Sequence, residues 1–288
     1  MTAVPEKGTG NVNPKREVQM HPQLFHGDNH GYFNFDRLEG LARDEITRSS
    51  LITRCHAGDR DAVVALQLGF WPFTSAFELA IDRRIASLPR GPLYKKFGHP
   101  ATRQHIARTL PATLDALAES EQRDVMETLP QEDGLREMQK DEWKHSMHWR
   151  KDSMCIGITE AQLDSAPTLP GVQRLIDGAS HADIVVCFAA SYAATEFIAE
   201  ALAWKLAHNP PSDRLFSRTK WIWMMVHATP HDEGPSHEEI VMDFARAFDD
   251  SGSPEKIESL VAEGIRAFGV AAAEVEEYYS PPRRMAAE

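Results

Sequence analysis

Residues 188–204 read FAASYAATEFIAEALAW, a stretch in which small and apolar side chains occupy almost every position. A helix that is apolar on all sides is typical of the centre of a fold, because every face must pack against a neighbour. Two carboxylates, Glu196 and Glu200, interrupt the stretch one helical turn apart. Because an ionised carboxylate is costly inside such a helix unless it is paired or binds a metal ion, we expect Glu196, which has the more apolar neighbours, to lie in a buried polar site.

The rest of the chain repeats apolar residues at the three- and four-residue spacing of helices, and strand patterns are almost absent. Helices are predicted at about 36–53, 59–88 with a bend at Pro72, 102–117, 121–129, 133–155, 182–207, 217–227, 236–248 and 254–279. Ser236 and Glu239 form the capping-box pattern that marks the start of one of them. We therefore predict an all-α fold, with a flexible leader over residues 1–30 and a single-domain helical bundle over residues 31–288.

Composition restricts the class of protein. The 288 residues carry a formal net charge of -12 and show no cluster of Lys and Arg, which argues against a nucleic-acid partner. Three cysteines without a short spacing disfavour a disulfide framework and a cysteine-rich zinc site, and indicate a reducing compartment. The leader lacks the apolar core of a signal peptide, and no apolar run approaches the roughly 20 residues of a membrane helix. A cytoplasmic protein without a membrane partner is expected.

A second polar segment, residues 141–149, reads DEWKHSMHW. In a helix its four acids and histidines share one face, and two of them form the Glu-x-x-His pair that bundle metal sites take from a single helix. These residues are Asp141, Glu142, His145 and His148. The alternative is a solvated face in which the acids pair with neighbouring lysines. We expect Glu142 and His145 to point inward, close to Glu196.

The third segment, residues 221–237, reads WIWMMVHATPHDEGPSH. His227 ends an apolar run and is expected to be buried, whereas His231, Asp232 and His237 follow in a segment rich in Gly and Pro. The alternative is a polar surface turn in which the histidines only cap helices. Imidazoles combined with carboxylates favour iron or manganese among the common metals. Three successive helical segments thus carry carboxylate with histidine, then carboxylate, then histidine with carboxylate, which is how di-iron bundles distribute their ligands.

The order and spacing of these segments, over about residues 60–250, resemble the heme-oxygenase-like di-iron oxidases, a group that includes a fatty-acid decarboxylase and several N-oxygenases of natural-product pathways. Glu142 and His145 match the carboxylate and histidine of one family helix, Glu196 matches the next carboxylate, and His227 matches the first residue of a final His-x-x-x-Asp-x-x-His motif. The chain departs from that motif, since position 231 is His and position 234 is Gly. An insertion would let Asp232 and His237 take those roles.

The resemblance implies a heme-oxygenase-like bundle, two Fe(II) ions and O2 as co-substrate. The implied metal ligands are Glu142, His145, His148, Glu196, His227, His231, Asp232 and His237, with Glu142 and Glu196 as the catalytic carboxylates. Glu78 is a further candidate ligand or supporting carboxylate. Packing of the preceding apolar run would hold His227 firmly, and ligands on the turn from 231 to 237 would be looser.

The implied activity is that of an O2-dependent oxidase or oxygenase acting on a small organic substrate, such as an amino-acid-like or fatty-acid-like molecule. Two alternatives stay open. The same fold hosts metal-free acid–base enzymes that resemble thiaminase II or pyrroloquinoline quinone synthase, and the departure at the final motif favours these. A ferritin-like iron-binding protein would use two Glu-x-x-His pairs, of which the chain has one. We expect a small-molecule substrate as the main partner, with a homodimer as the oligomer to test.

Overall fold

The computed structural model describes residues 32–87, 144–216, 221–228, 236–249 and 251–279. The predicted leader, the helices predicted at 102–117 and 121–129, and the first part of that predicted at 133–155 lie outside the described residues. Within the described ranges every regular element is helical and there is no strand. The all-α class is therefore confirmed, while the heme-oxygenase-like topology stays a prediction.

The helices are numbered here in chain order. They are α1 (Phe35–Arg48), α2 (Ser50–His56), α3 (Arg60–Ser87), α4 (144–155), α5 (Glu160–Asp164), α6 (Pro170–Ala179), α7 (Ile184–Leu206), α8 (Pro210–Asp213), α9 (Ile222–His227), α10 (His237–Ala247) and α11 (Pro254–Tyr279). A short 3₁₀ turn, Arg214–Phe216, follows α8. Their buried apolar side chains form one contiguous cluster.

Helix α7 contains the deciding apolar stretch and lies at the centre. Its first half packs against α6, α10 and α11, and its second half packs against α1, α9 and α11. The first half is not a regular α-helix, because Cys187–Ala193 forms a π-helical segment before the α-helix resumes at Ala194. Such segments insert one extra residue into a helix and frequently occur at functional sites. Periodicity alone does not predict this segment.

Helices α7 and α11 approach each other closely at Gly264. A Cβ atom at position 264 would collide with the carbonyl oxygen of Ala190 and would lie 2.6 Å from the Cβ of Ala194. Side chains no larger than alanine on α7 and the absence of one on α11 therefore set the separation of these helices.

Replacing Gly264 by alanine is expected to lower the free energy of unfolding by about 2 kcal/mol, because the added methyl group overpacks a contact that includes backbone. The matched control is Gly40→Ala on α1, where a Cβ meets nothing within 4 Å. That control should raise stability by up to about 1 kcal/mol through helix propensity. Urea unfolding of both variants followed by circular dichroism measures the difference. Equal stability of the two variants would contradict the close approach.

The first predicted helix, about 36–53, is in fact two helices. Ser49 separates α1 from α2 with an extended backbone, and its hydroxyl accepts a hydrogen bond from the backbone N–H of Ile52. The serine therefore caps the second helix, although the apolar spacing runs through it. The predicted helix across Pro72 is correct, since α3 continues through that residue.

Two helices are long and apolar enough to cross a membrane by length and composition, which corrects the expectation that no run approaches that length. They are Arg60–Ile81, with a mean hydropathy of 1.2, and Ile184–Leu206, with 1.5. More than half of the first window and 72% of the second are buried inside the fold. Core helices of globular proteins pass the same test, so the finding is weak evidence for a membrane span.

Candidate metal centre

The carboxylate of Glu196 is buried in the first turn after the π-helical segment of α7. Its side chain is 5% exposed, and its Oε2 lies 3.5 Å from Nδ1 of His237 on α10. One turn later, the Glu200 side chain is 42% exposed and lies 3.8 Å from the guanidinium of Arg43. The prediction that Glu196 is the buried member of the pair is confirmed, and Glu200 is the member paired with an arginine.

Helix α4 brings His145 and His148 to the same side of the fold. His145 is buried, which confirms that it points inward, and His148 is half-buried with a buried Nδ1. The intervening Ser146 donates a hydrogen bond of 2.7 Å to the Glu78 carboxylate on α3. Glu142 and Asp141 lie outside the described residues, so the expectation for Glu142 stays a prediction.

His227 ends α9 as a half-buried residue, less buried than predicted, and its ring lies against two others. The ring centroids lie 3.9 Å from Trp223 and 4.4 Å from His145. Its Nδ1 lies 2.8 Å from the carbonyl oxygen of Trp223. Because a carbonyl oxygen only accepts hydrogen bonds, Nδ1 carries the proton and the lone pair lies on Nε2. This is the tautomer in which a histidine binds a metal through Nε2 while its other nitrogen is fixed by the protein.

The electrostatics of the site favour a neutral His227. Burial, together with the neighbouring His145, lowers the pKa of His227 to about 3, against the opposing pull of the Glu196 carboxylate. His237 also lowers the pKa of His227. Since an imidazole binds a metal or accepts a proton only when neutral, the His227 ring is ready for either role near pH 7.

His237 lies in a more ordered part of the structure than the sequence predicts. It is the first residue of α10, it is buried, and the predicted capping box of Ser236 and Glu239 is present with both hydrogen bonds. The prediction that His237 lies on a turn is therefore wrong, because the cap at Ser236 starts the helix one residue before it. His231 and Asp232 lie outside the described residues, and their predicted looseness stays a prediction.

Glu238 is a carboxyl group that sequence reasoning missed. Burial raises its pKa to about 7, and the charges of Glu196 and Glu200 act in the same direction. An acid in the first turn of a helix ordinarily complements the helix dipole at the surface. The sequence therefore carries no signal that this half-buried acid lies close enough to Glu196 for the charge of that carboxylate to act on it.

Four predicted site residues come together from four helices: His145 on α4, Glu196 on α7, His227 on α9 and His237 on α10. Within the described part of the chain, no three Cys, His, Asp or Glu side chains are arranged so as to hold a metal ion. Glu142, His231 and Asp232, which the sequence adds to this set, lie outside that part. The ligand and catalytic roles of all eight residues stay predictions.

Comparison with known proteins adds no family to this geometry. Neither the protein-family models nor the curated proteins that were searched contain a match to the chain. The site must therefore be interpreted from its own chemistry.

Proposed function

We propose that this protein is a non-heme iron enzyme of the heme-oxygenase-like kind, which binds two Fe(II) ions and uses O2 to oxidise a small organic substrate. The observation that carries the proposal is a buried carboxylate, Glu196, which lies 3.5 Å from His237 and whose charge acts on His227 beside His145. No arginine or lysine of the described residues pairs with Glu196 at its buried position. Burial of an ionised carboxylate is expensive, and a bound cation would offset that cost.

The donor set fits iron. Neutral imidazoles and carboxylates are ligands that Fe(II) accepts, and the Nδ1–H tautomer of His227 leaves Nε2 for the metal. His145, Glu196, His227 and His237 would hold the iron together with Glu142, His148, His231 and Asp232. When bound, the iron would supply the one-electron and O2 chemistry that side chains lack.

The chain's own contribution is to orient the ligands and exclude water. Trp223 stacks on His227 and meets Trp149 edge to face at a centroid distance of 5.1 Å, so aromatic rings close one side of the site. Both tryptophans are buried. A dry environment strengthens the electrostatic hold of Glu196 on a cation.

The test is anaerobic addition of Fe(II) to the metal-free chain, followed by iron counting and by exposure to O2 under visible spectroscopy. The proposal expects about two iron ions retained per chain, as in di-iron bundles, and a spectral change on exposure to O2. Absence of retained iron would overturn it. Accumulation of many more ions per chain would instead favour the ferritin-like alternative.

The Glu196–His237 contact specifically favours a second candidate, metal-free acid–base catalysis. A buried carboxylate 3.5 Å from an imidazole nitrogen is the pairing that orients a histidine for proton transfer. Metal content of freshly purified protein separates the candidates, because only the first requires iron at the site.

A further inference from the structure

A carboxylate outside the predicted ligand set lies at the start of the helix that carries His227. Asp152 on α4 has no exposed surface, and its two oxygens accept hydrogen bonds from the backbone N–H groups of Ile222, at 3.1 Å, and Trp223, at 2.8 Å. These are N–H groups at a helix start, which have no carbonyl partner within their own helix. Trp221, at the N-cap of α9, offers no side-chain hydrogen bond. Asp152 therefore caps α9 from another helix.

The capped residue is also the one that holds His227. Trp223 receives the Asp152 hydrogen bond at its N–H, while its carbonyl oxygen accepts the hydrogen bond from Nδ1 of His227 and its ring stacks on the imidazole. Helix α9 has only six residues, and a helix this short depends on its contacts for its position. A displacement of the start of α9 would therefore also move the His227 imidazole, because Trp223 contacts both Asp152 and His227.

Helix α4 links the two ends of this arrangement. It carries Asp152, which fixes the start of α9, and His145, whose ring lies 4.4 Å from that of His227. Positions 145, 148 and 152 follow the spacing of one helix face. Helix α4 therefore fixes the position of His227 relative to His145 through two contacts, one at His145 and one at Asp152.

The carboxylate at position 152 carries an energetic cost. Burial raises the pKa of Asp152 to about 6, so its ionised form is held at a cost that the two backbone hydrogen bonds only partly offset. A serine or asparagine would cap a helix without that cost. Only the carboxylate offers acceptors to both N–H groups at once without placing a donor against either.

We propose that Asp152 is a positioning residue of this site: it holds α9 so that His227 stays in the Nδ1–H tautomer beside His145, with the Nε2 lone pair free. The inference rests on the proposed function only in assigning that lone pair to iron. The tautomer itself belongs to the metal-free chain and can be measured there.

The test uses the full chain labelled with ¹⁵N-histidine, as wild type and as Asp152→Asn. The variant is nearly isosteric and carries no buried charge, but its amide presents a donor to one of the two N–H groups. The matched control is Asp183→Ala, which removes another aspartate cap, the one that accepts from the N–H of Val186 at the start of α7. His227→Gln identifies the His227 resonances by their loss.

In the metal-free wild type, His227 should show one protonated and one lone-pair ring nitrogen, assigned to Nδ1 and Nε2. Asp152→Asn should mix the tautomers and weaken Fe(II) binding about 10- to 100-fold, the usual effect of losing a partner behind the ligands. Asp183→Ala should change neither, although its unfolding midpoint falls.

Two results would overturn the inference. An unchanged tautomer in folded Asp152→Asn would show that the cap does not reach His227. Equal weakening of Fe(II) binding by Asp183→Ala would show that Asp152 acts only through stability. Failure of the wild type to bind Fe(II) would defeat the proposed function, while the tautomer measurement would still decide the role of Asp152.

Discussion

Replacing His227 by alanine is expected to remove most of the Fe(II) that the chain retains. The imidazole is held by the Trp223 carbonyl oxygen and ring contacts, so its Nε2 is preorganised and alanine offers no substitute. The loss of affinity should be at least as large as the about 10- to 100-fold that loss of a supporting partner costs. Iron counted per chain after anaerobic desalting measures the effect.

The same iron count on further variants tests how much each predicted ligand contributes to iron binding. Glu196→Gln should lose as much iron, since it removes the buried charge while retaining the shape. His237→Ala should also lose iron to a similar degree, because His237 lies buried on a capped helix against Glu196. His56→Ala on α2, which lies outside the site, is the control and should retain all the iron. Full retention by His227→Ala would make the acid–base alternative the better interpretation.

Acidification is expected to destabilise the metal-free protein through His227. The pKa of His227 is lowered to about 3 in the fold, against about 6.5 in the unfolded chain. Between these values the unfolded chain binds a proton that the folded chain does not, so stability falls as the pH falls. The slope is about 1.4 kcal/mol per pH unit, or roughly 3 kcal/mol from pH 6 to pH 4. Above about pH 6.5 this histidine contributes no pH dependence.

The variant His227→Gln isolates this contribution. The pKa values of Asp152 and Glu238 are raised by burial, so these carboxyls destabilise the fold as the pH rises, but they are common to both proteins and largely cancel. Urea unfolding at several pH values in the presence of a chelator gives the difference in slope. Parallel curves for wild type and His227→Gln would show that His227 becomes protonated in the fold without penalty.

Helix bounds could be predicted where the residues that start and end a helix lie within that helix. The last helix has the predicted bounds, Pro254–Tyr279, because proline favours its first turn and apolar spacing runs to its end. The break at Ser49 could not be predicted from spacing, since the apolar residues of α1 and α2 continue across it. A serine there is equally compatible with a helix interior until its hydroxyl is seen to cap the next helix.

In the candidate site, likewise, features of a single helix could be predicted and contacts between helices could not. Burial of Glu196 follows from its apolar neighbours, and the inward face of His145 follows from helical spacing. The contact of Glu196 with His237 joins α7 to α10, and no local pattern specifies which helices meet. Asp152 did carry a signal, since it continues the polar face of His145 and His148 by one turn. Its partners are backbone groups of another helix, which a sequence does not reveal.

The π-helical segment of α7 fixes the rotational phase of everything that follows it. One inserted residue turns the downstream helix by about 100° relative to an uninterrupted α-helix. The first half of α7 can therefore pack against α6, α10 and α11, while the differently phased second half packs against α1, α9 and α11 and turns Glu196 toward His237 on α10. Loss of a single residue within Cys187–Ala193 would leave the composition of α7 nearly unchanged, yet it would turn Glu196 away from His237. In this helix the count of residues matters as much as their identity.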